Sequence, residues 1–507
     1  MDKILIIDYG SQYNQLIARR IREMNVYAEI ISCNTKIVQD GTIKGIILSG
    51  GPSSVYEEGA PTLNNDIFGL NVPILGICYG MQLIMKAFGG IVEAGTKREY
   101  GKKNIDLKKP SLLTDGLSPS SIVWMSHSDR LSKIPVSFRV IAESDMAIAI
   151  TEHISKPIYA VQFHPEVTHT EEGAKLLSNF LFKIVHASPS WNMGNYIQLA
   201  VKNIKDIVKD KRVILGLSGG VDSSVAACLL HEAIGDKLTC IFVDTGLLRK
   251  GEADAVMSGY GGLSHLNIQK VDAKKRFIEA LKGVSDPEQK RKIIGKEFVT
   301  VFEEAAKGIK DASFLAQGTI YPDVIESISL SGPSALIKSH HNVGGLPDRL
   351  FLQILEPIRY LFKDEVRRLG IELGLQKELV YRHPFPGPGL AIRILGEITL
   401  EKVLILQEAD AILIEELRNK HLYDKVSQAF VTLLPVKTVG VMGDQRTYEY
   451  VCAIRCVDSI DFMSANVSRL PYDFLELVSA RITNEVKGIN RVVYDITSKP
   501  PGTIEWE

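Results

Sequence analysis

Short apolar runs alternate with amphipathic stretches from the start of the chain. The runs Ile4–Ile7, Gly45–Leu48 and Val72–Ile77 are rich in aliphatic and β-branched residues and are predicted as strands. The stretches Gln12–Glu23 and Met81–Phe88 have apolar residues at helical spacing and are predicted as helices. This alternation is typical of a parallel sheet that carries helices on both faces.

The same pattern continues to a segment with the composition of a linker. A strand is predicted at Ile158–Phe163 and a helix at Glu171–Val185. The segment Ala187–Ser190, which reads Ala-Ser-Pro-Ser, has no apolar periodicity and favours a connection between domains. We therefore place a first domain at residues 1–190.

A second series of alternating elements follows this linker. It comprises the predicted helix Tyr196–Val208, strand Val213–Leu217, helix Ser223–Ile234, strand Leu238–Val243 and strand Phe314–Ala316. Because these elements repeat the pattern after a linker, we expect a separate open sheet within residues 191–382.

The pattern changes after the segment His383–Gly389, in which proline and glycine make a regular element unfavourable. From there to Val493 the order becomes strand, helix, strand, strand, helix, strand, which predicts a small α+β domain over residues 383–507. The predicted fold class is α/β: two open, mainly parallel sheet domains followed by this small α+β domain.

Composition narrows the functional classes. The chain has 507 residues, enough for roughly three or four domains, and its 59 Lys plus Arg against 60 Asp plus Glu leave a net charge of −1. No strong overall field would draw it to nucleic acid or to an anionic membrane, so we expect neither as a partner. Six cysteines without a CxxC pair argue against a disulfide framework and a zinc ribbon.

The expected location is the cytoplasm. The apolar run at the start of the chain is short and ends at Asp8, which indicates a strand and not a signal peptide. The longest uncharged apolar stretch, Asn71–Met85, falls short of the roughly 20 apolar residues that span a bilayer.

A cysteine follows one of the predicted strands in the pattern Gly-x-Cys-x-Gly. Gly76, Cys78 and Gly80 occupy these positions between the strand that ends at Ile77 and an apolar helix. Strand, sharp turn and helix form a nucleophile elbow, and the helix N-terminus lowers the pKa of a thiol placed there. The alternative is a buried cysteine that packs as a small apolar side chain.

Two further strand ends carry groups that would complete an acyl-transfer site. His164 and Glu166 lie two residues apart at the end of a strand, on one face, about 6.6 Å apart along the chain. A Cys, His and Glu set supplies nucleophile, general base and orienting carboxylate. The Ser49–Pro52 turn offers backbone N–H groups for an oxyanion, with the amide of Tyr79 as a second donor. The alternative interpretation, with each motif taken separately, is an ordinary histidine at a strand end and an ordinary turn.

With these motifs, residues 1 to about 186 resemble the class I glutamine amidotransferases, which hydrolyse glutamine through a cysteine thioester. The resemblance implies a Cys78, His164 and Glu166 triad. It also implies oxyanion donors and a glutamine-binding side chain, at Gly51, Tyr79 and Gln82. Ser128 stands where these enzymes usually have glycine, which is a departure in the substrate loop.

The strand Val213–Leu217 runs into a loop of glycines and hydroxyl residues that opens a helix. This loop consists of Ser218, Gly219, Gly220, Val221, Asp222, Ser223 and Ser224. Glycines allow close backbone approach, the helix N-terminus attracts an anion, and Asp222 can hold Mg²⁺. The spacing is not that of Walker A. The loop resembles the pyrophosphate loop of N-type ATP pyrophosphatases, which cleave ATP to AMP and pyrophosphate; the alternative is a Gly/Ser turn that caps a helix.

Further segments extend the resemblance to the glutamine-hydrolysing GMP synthetase family over essentially the whole chain. They are the donor-rich stretch Lys338–Gly345, the segment around Asp323 and Glu326, His383–Leu390, Gly440–Tyr448 and the tail Ser498–Glu507. The resemblance implies a phosphate lid with Lys338, His340 and His341. It implies a xanthosine monophosphate site with Arg291, Lys499 and Glu505, and a homodimer formed by the C-terminal domain.

The activity implied is a bifunctional one: glutamine supplies ammonia, ATP adenylates xanthosine monophosphate, and ammonia displaces AMP to give GMP. Glutamine, ATP and xanthosine monophosphate are then the substrates, with Mg²⁺ as cofactor. One alternative is an ATP pyrophosphatase that modifies tRNA, which would require a basic patch or an appended RNA-binding module. Another is a binding or regulatory protein with inactive sites, against which the intact Cys78, His164, Glu166 and Asp222 argue.

Overall fold

The computed structural model describes residues 1–258, 265–329, 352–442, 445–459 and 462–507. Two compact units are found within them. The first comprises Met1–Tyr196 with a short stretch that starts at Ile325, and the second comprises Ile197–Val324 and the described residues from 352 onward. The predicted boundary near residue 190 lies close to the end of the first stretch.

A nine-stranded sheet forms the first unit. Its strands are β1 Lys3–Asp8, β2 Tyr27–Ser32, β3 Ile43–Leu48, β4 Ile74–Ile77, β5 Ile91–Leu107, β6 Ser120–Lys133, β7 Phe138–Glu143, β8 Ile148–His153 and β9 Ile158–Val161. The strand order is β2-β1-β3-β4-β9-β8-β7-β5-β6, in which the first five strands run parallel and the last four are added antiparallel. The predicted parallel strands are confirmed.

Three helices accompany this sheet. They are α1 Asn14–Glu23, α2 Tyr79–Ala87 and α3 Gly173–Ser178, the last continued by a π-helical stretch at Asn179–Ile184. The helix predicted at 81–88 begins at Tyr79, directly after Cys78. The early β3 and β4 strands are buried along almost their whole length, as expected for strands covered by helices on both faces.

In the second unit a five-stranded sheet is wholly parallel, as predicted for residues 191–382. Its strands are β10 Arg212–Gly216, β11 Leu238–Asp244, β12 Ile268–Asp272, β13 Ala312–Ala316 and β14 Gln353–Leu355, in the order β12-β11-β10-β13-β14. The helices of this stretch of the chain are α4 Met193–Val208, α5 Val221–Ile234, α6 Glu252–Met257, α7 Lys274–Ala280, α8 Pro287–Lys307, α9 Tyr321–Ser329, α10 Lys363–Glu372 and α11 Lys377–Val380.

The remaining residues of the second unit form a small α+β layer. Its elements are α12 Leu400–Asn419, β15 Gln428–Met442, β16 Gln445–Asp458, β17 Asn466–Val467, α13 Tyr472–Glu485 and β18 Ile489–Tyr494. β15 and β17 flank β16 antiparallel, and β18 pairs with β16 in parallel. The strand expected before α12 is a single bridge between Ile394 and Leu433.

One apolar core joins the parallel sheet to the small α+β layer. Ile214 and Ile241 of the sheet belong to the same buried cluster as Leu413, Val431 and Ile454 of the C-terminal elements. This shared core explains why residues on both sides of 383 form one compact unit. Among the described residues, no helix combines the length and the apolar content needed to cross a bilayer.

Candidate active sites

Cys78 occupies the sharp turn between β4 and α2. Its backbone has φ 51° and ψ −105°, a strained conformation for a residue with a side chain. A Cβ on Gly76 would lie 2.7 Å from the carbonyl oxygen of Gly80, and a Cβ on Gly80 would lie still closer to that of Leu48, so both flanking glycines are needed for this turn. The Cys78 N–H donates to Val161 O at 2.8 Å, which ties the elbow to β9. The Gly-x-Cys-x-Gly pattern therefore forms the predicted elbow.

His164 and Glu166 form a buried pair beside this elbow. His164 Nδ1 lies 2.7 Å from Glu166 Oε1, and the Glu166 side chain is fully buried. Burial opposes the charged imidazole, but the Glu166 carboxylate and a hydrogen bond with Cys78 hold the pKa of His164 well above its ordinary value. A basic imidazole in contact with the thiol can accept the proton of Cys78. The structure thus brings together the three predicted triad residues.

Two groups that the sequence did not single out also contact the thiol. The Gln162 side-chain amide lies 3.7 Å from Cys78 Sγ, and the carbonyl oxygen of Ser126 on β6 lies 3.8 Å from it. Tyr13 packs its ring edge against the His164 imidazole, with 5.0 Å between ring centres. Gln162 precedes the motif His164–Glu166, whereas Ser126 and Tyr13 carry no local signal for this role.

The Ser49–Pro52 turn packs directly on the elbow. A Cβ on Gly50 would lie 3.1 Å from His164 Cε1 and 3.7 Å from Cys78 Cβ. A Cβ on Gly51 would lie 2.7 Å from the carbonyl oxygen of Tyr9, so only glycine fits there. Tyr79 is the first residue of α2, and the first N–H groups of a helix have no intrahelical acceptor.

Gln82 is buried one turn into α2, and its backbone N–H donates to the backbone carbonyl oxygen of Cys78 at 3.2 Å. Nucleophile, base, orienting carboxylate and candidate oxyanion donors thus lie together, an arrangement suited to acyl transfer.

The predicted phosphate loop follows β10 and opens α5. The Ser218 and Ser223 hydroxyl oxygens lie 2.9 Å apart, and the Gly220 N–H donates to Ser218 Oγ at 3.2 Å. Gly219 has φ +74°, which favours glycine. The loop thus has a defined shape, and α5 is long enough to present a helix N-terminus to an anion.

Two cationic side chains flank this loop, and the sequence did not predict either. Lys363, the first residue of α10, places its ammonium 2.8 and 2.7 Å from the two carboxylate oxygens of Asp222. Arg382 donates to Gly219 O at 2.5 Å and to Glu252 Oε1 at 2.6 Å. Both residues are more than a hundred positions away from the loop in the sequence, so no local motif could indicate them.

Asp222 can serve as a single carboxylate ligand of Mg²⁺. No group of three or more His, Cys, Asp or Glu side chains suited to a metal ion occurs in the described part of the chain. Mg²⁺ commonly takes only one or two protein carboxylates and completes its shell with phosphate oxygens and water. The Asp222 side chain is 31% exposed, so its carboxylate is accessible for such a role.

The residues predicted for the second site lie only partly within the described residues. Asp323 accepts a hydrogen bond from the Ile320 N–H at 3.0 Å, at the start of α9. The side chain of Glu326 and all of Lys338, His340 and His341 lie outside the described residues.

The tail Ser498–Glu507 is held in place by hydrogen bonds to the rest of the second unit. Glu505 accepts two hydrogen bonds from Arg393, at 3.0 and 2.8 Å, and a third from Gln428 at 2.8 Å. Lys499 Nζ donates to Phe462 O at 2.8 Å. Arg291 reaches Glu507 and not Glu505, with its guanidinium 2.5 Å from the Glu507 carbonyl oxygen.

Three stretches of the chain match known families. Residues 5–184 match the family described as glutamine amidotransferase class-I. Residues 195–249 match the NAD synthase family, and residues 415–506 match the GMP synthase C terminal domain.

Several curated relatives are similar over the full length. The GMP synthase [glutamine-hydrolyzing] of Fusobacterium nucleatum is 60% identical over 507 residues, which cover 99% of this chain and 99% of that protein. Proteins of the same description from Brachyspira hyodysenteriae and Mesoplasma florum are each 57% identical over 510 residues, covering 100% of this chain and 99% of theirs.

Proposed function

The chain belongs to the family of glutamine-hydrolysing GMP synthases, and we propose that it makes GMP with the two sites described above. It hydrolyses glutamine to glutamate and ammonia, adenylates xanthosine monophosphate with ATP, and aminates the adduct to GMP with release of AMP and pyrophosphate. The observation that carries this function is the 60% identity over 99% of both chains. The assignment of each step to particular residues is our proposal, argued from the geometry.

In the first site Cys78 acts as the nucleophile. Its proton passes to His164, and Sγ attacks the carboxamide carbon of glutamine. The N–H groups of Gly51 and Tyr79 stabilise the oxyanion, and Gln82 holds the substrate. The His164 imidazolium then protonates the departing ammonia, and the thioester is hydrolysed by a water molecule that His164 deprotonates.

Glu166 has a separate task in this site. Its carboxylate accepts a hydrogen bond from the Nδ1–H group of His164 at 2.7 Å. This leaves Nε2 as the nitrogen that exchanges protons with thiol and substrate. The raised pKa of His164 supports this assignment, since an imidazolium next to the reacting sulfur is needed when ammonia leaves.

In the second site the loop Ser218–Ser224 binds the β and γ phosphates of ATP at the N-terminus of α5. The C2 oxygen of xanthosine monophosphate attacks the α phosphorus, and pyrophosphate leaves toward the loop. The Lys363 ammonium, held beside Asp222, is suited to donate hydrogen bonds to these phosphates. Ammonia then adds at C2 and AMP leaves.

Asp222 is the residue proposed to hold Mg²⁺. When bound, the ion supplies neutralisation of the charge that develops on pyrophosphate. Asp222 has a carboxylate accessible beside the loop, and the remaining ligands would come from phosphate oxygens and water. Lys338, His340 and His341 are proposed as the lid over the phosphates on the resemblance alone.

For the nucleotide site we propose Arg291, Lys499 and Glu505. Glu505 is already oriented by Arg393 and Gln428, so one of its carboxylate oxygens can accept a further hydrogen bond from a ribose or base edge. Lys499 carries a compact ammonium near the end of the chain, which suits a phosphate.

A homodimer through the C-terminal layer is supported by exposed apolar side chains on the β15–β16 hairpin. Val441 and Tyr448 are 74% and 66% exposed, and Val439 lies opposite Tyr448 in the ladder. Apolar side chains exposed together in this way often mark a protein interface. We further propose that the enzyme works in the cytoplasm, in line with its unpaired cysteines.

Product analysis tests this function. The purified protein is incubated with ATP, glutamine and one acceptor at a time, and nucleotides are separated by chromatography. Xanthosine monophosphate should give GMP and AMP in equal amounts. AMP formation with tRNA, and none with xanthosine monophosphate, would favour the tRNA-modifying alternative.

A further inference from the structure

A buried pair of side chains joins β5 to β6 and has no part in the triad. Glu99 on β5 and His127 on β6 are direct partners in the antiparallel ladder. Their side chains are only 3% and 6% exposed, and His127 Nε2 lies 3.2 Å from Glu99 Oε2. Burying two ionisable groups in contact costs desolvation free energy, so we expect this pair to have a role.

The tautomer of His127 follows from its hydrogen bond to a carbonyl oxygen. His127 Nδ1 lies 2.8 Å from the carbonyl oxygen of Asp129, and a carbonyl can only accept, so Nδ1 carries a proton. Nε2 lies 3.2 Å from Glu99 Oε2, in contact but without the geometry of a hydrogen bond. Burial lowers the pKa of His127, which favours a neutral imidazole.

The charged and polar groups around the pair hold the same segment of β6. Ser144 Oγ donates to the other oxygen of Glu99 at 3.3 Å. Tyr56 donates its hydroxyl proton to Asp129 Oδ1 at 2.8 Å. His127 and Asp129 are two residues apart on a strand, so both anchors act on one face of the segment Ser126–Asp129.

This segment needs anchors because backbone pairing is weak there. β6 is the last strand of its sheet, and among the described residues its Ser126–Asp129 stretch pairs with β5 alone. Between Ala94, opposite Asp129, and Glu99, opposite His127, the register of the two strands shifts. A strand with one neighbour and an irregular ladder is poorly fixed by main-chain hydrogen bonds alone.

The position of β6 matters for both reacting residues. The carbonyl oxygen of Trp124 accepts the His164 N–H at 3.0 Å, and the carbonyl oxygen of Ser126 lies 3.8 Å from Cys78 Sγ. A displacement of about 1 Å at a catalytic group can cost on the order of a hundredfold in rate.

We propose that Glu99 and His127 are positioning residues of the glutamine-hydrolysing site, which fix Ser126–Asp129 against Cys78 and so shape the place where the carboxamide binds. The inference rests on the proposed role of Cys78 and goes beyond it. Neither side chain touches reacting atoms. Their effect passes through the β6 backbone.

Substitutions of Glu99 separate positioning from mere packing. Glu99→Ala removes the carboxyl group that lies against Nε2 of His127 and frees the segment. Glu99→Gln can keep the contact, because the glutamine amide donates to an unprotonated Nε2 while Nδ1 keeps its proton. Glutamine hydrolysis and ammonium-dependent GMP synthesis are both measured. His153→Asn is the control for packing, since Asn Oδ1 can replace His153 Nδ1 as acceptor of the Ser155 and Lys156 N–H groups while the ring contacts with two phenylalanines are lost.

We expect Glu99→Ala to raise KM for glutamine and to lower kcat/KM for its hydrolysis about tenfold or more. Glu99→Gln and the His153→Asn control should stay within about threefold of the wild type. Ammonium-dependent synthesis should be unchanged in all three. An unchanged kcat/KM for glutamine in Glu99→Ala would overturn the inference, as would equal losses of glutamine-dependent and ammonium-dependent synthesis.

Cys78→Ala, measured in parallel, keeps this inference distinct from the proposed function. If Cys78→Ala still uses glutamine, the assignment of the nucleophile fails, and the positioning role fails with it. If Cys78→Ala loses glutamine use while Glu99→Ala remains normal, only the positioning role is overturned.

Discussion

Lys363 and Asp222 form an ion pair in which one ammonium nitrogen contacts both carboxylate oxygens, at 2.8 and 2.7 Å. The two residues are 141 positions apart, and the fold brings them together because α10 begins beside the loop that opens α5. The pair holds a cation at the place where the phosphates of ATP are proposed to bind. Because both side chains remain partly exposed, this ion pair contributes little to the stability of the fold, and we expect its main role to be in phosphate binding.

Removal of this ammonium should weaken the second site alone. We expect Lys363→Met to lower kcat/KM for ATP about tenfold or more, the loss typical of one charge-assisted contact. Pyrophosphate release is measured with ammonium as the nitrogen source, and glutamine hydrolysis is measured separately. Lys275→Met is the control, because Lys275 is 89% exposed. Equal rates in the two variants would remove Lys363 from the site.

The pH dependence of glutamine hydrolysis should report the Glu166 carboxylate. A raised pKa means that His164 stays protonated, and able to donate to ammonia, at pH values above its ordinary range. Glu166→Gln removes the negative charge, so the alkaline limb of kcat/KM should move to lower pH and the maximum should fall about tenfold. The exposed Glu171 offers a control in Glu171→Gln. An alkaline limb that does not move would contradict the proposed proton transfer.

The tail prediction concerns substrate binding. Lys499→Ala removes one ammonium and its hydrogen bond to Phe462 O. If this ammonium contacts the phosphate of xanthosine monophosphate, KM for that nucleotide should rise about tenfold while KM for ATP stays constant. Lys420→Ala, at an exposed position, is the control. A purely structural tail would show an unchanged nucleotide KM.

A buried cation should make Glu507 important for stability. The Lys290 side chain is fully buried, and its ammonium contacts the Glu507 carboxylate and the carbonyl oxygens of Ile394 and Ala391. Glu507→Ala leaves this charge without its counter-ion, which costs about 3 kcal/mol or more. We expect a lower melting temperature by calorimetry.

The double variant Lys290→Met with Glu507→Ala should recover much of this loss, because it removes the buried charge as well. If the double variant is no more stable than Glu507→Ala, the charge is not the cause of the loss.

The sequence predicted local arrangements well. The elbow at Cys78 and the pair His164 and Glu166 depend on residues that are close in the chain, and the structure brings them together as expected. The parallel strands were predictable because they are continuous apolar runs. Strands β5 and β6 were not, since charged residues interrupt the apolar pattern in both.

Contacts between distant residues could not be predicted. Lys363 and Arg382 reach the phosphate loop only through tertiary folding, and neither stands in a recognisable motif. The apolar core shared by the parallel sheet and the C-terminal layer was missed for the same reason, since periodicity shows that a face is buried and not what covers it.

The most direct test of the account compares nitrogen sources in Cys78→Ala. GMP formation from xanthosine monophosphate and ATP is followed with glutamine, and separately with an ammonium salt. If Cys78 is the nucleophile of a separate glutamine-hydrolysing site, synthesis from glutamine should be lost while synthesis from ammonium remains at the wild-type rate. Glutamine-dependent synthesis that persists in this variant, or loss of both activities in a folded protein, would contradict the account.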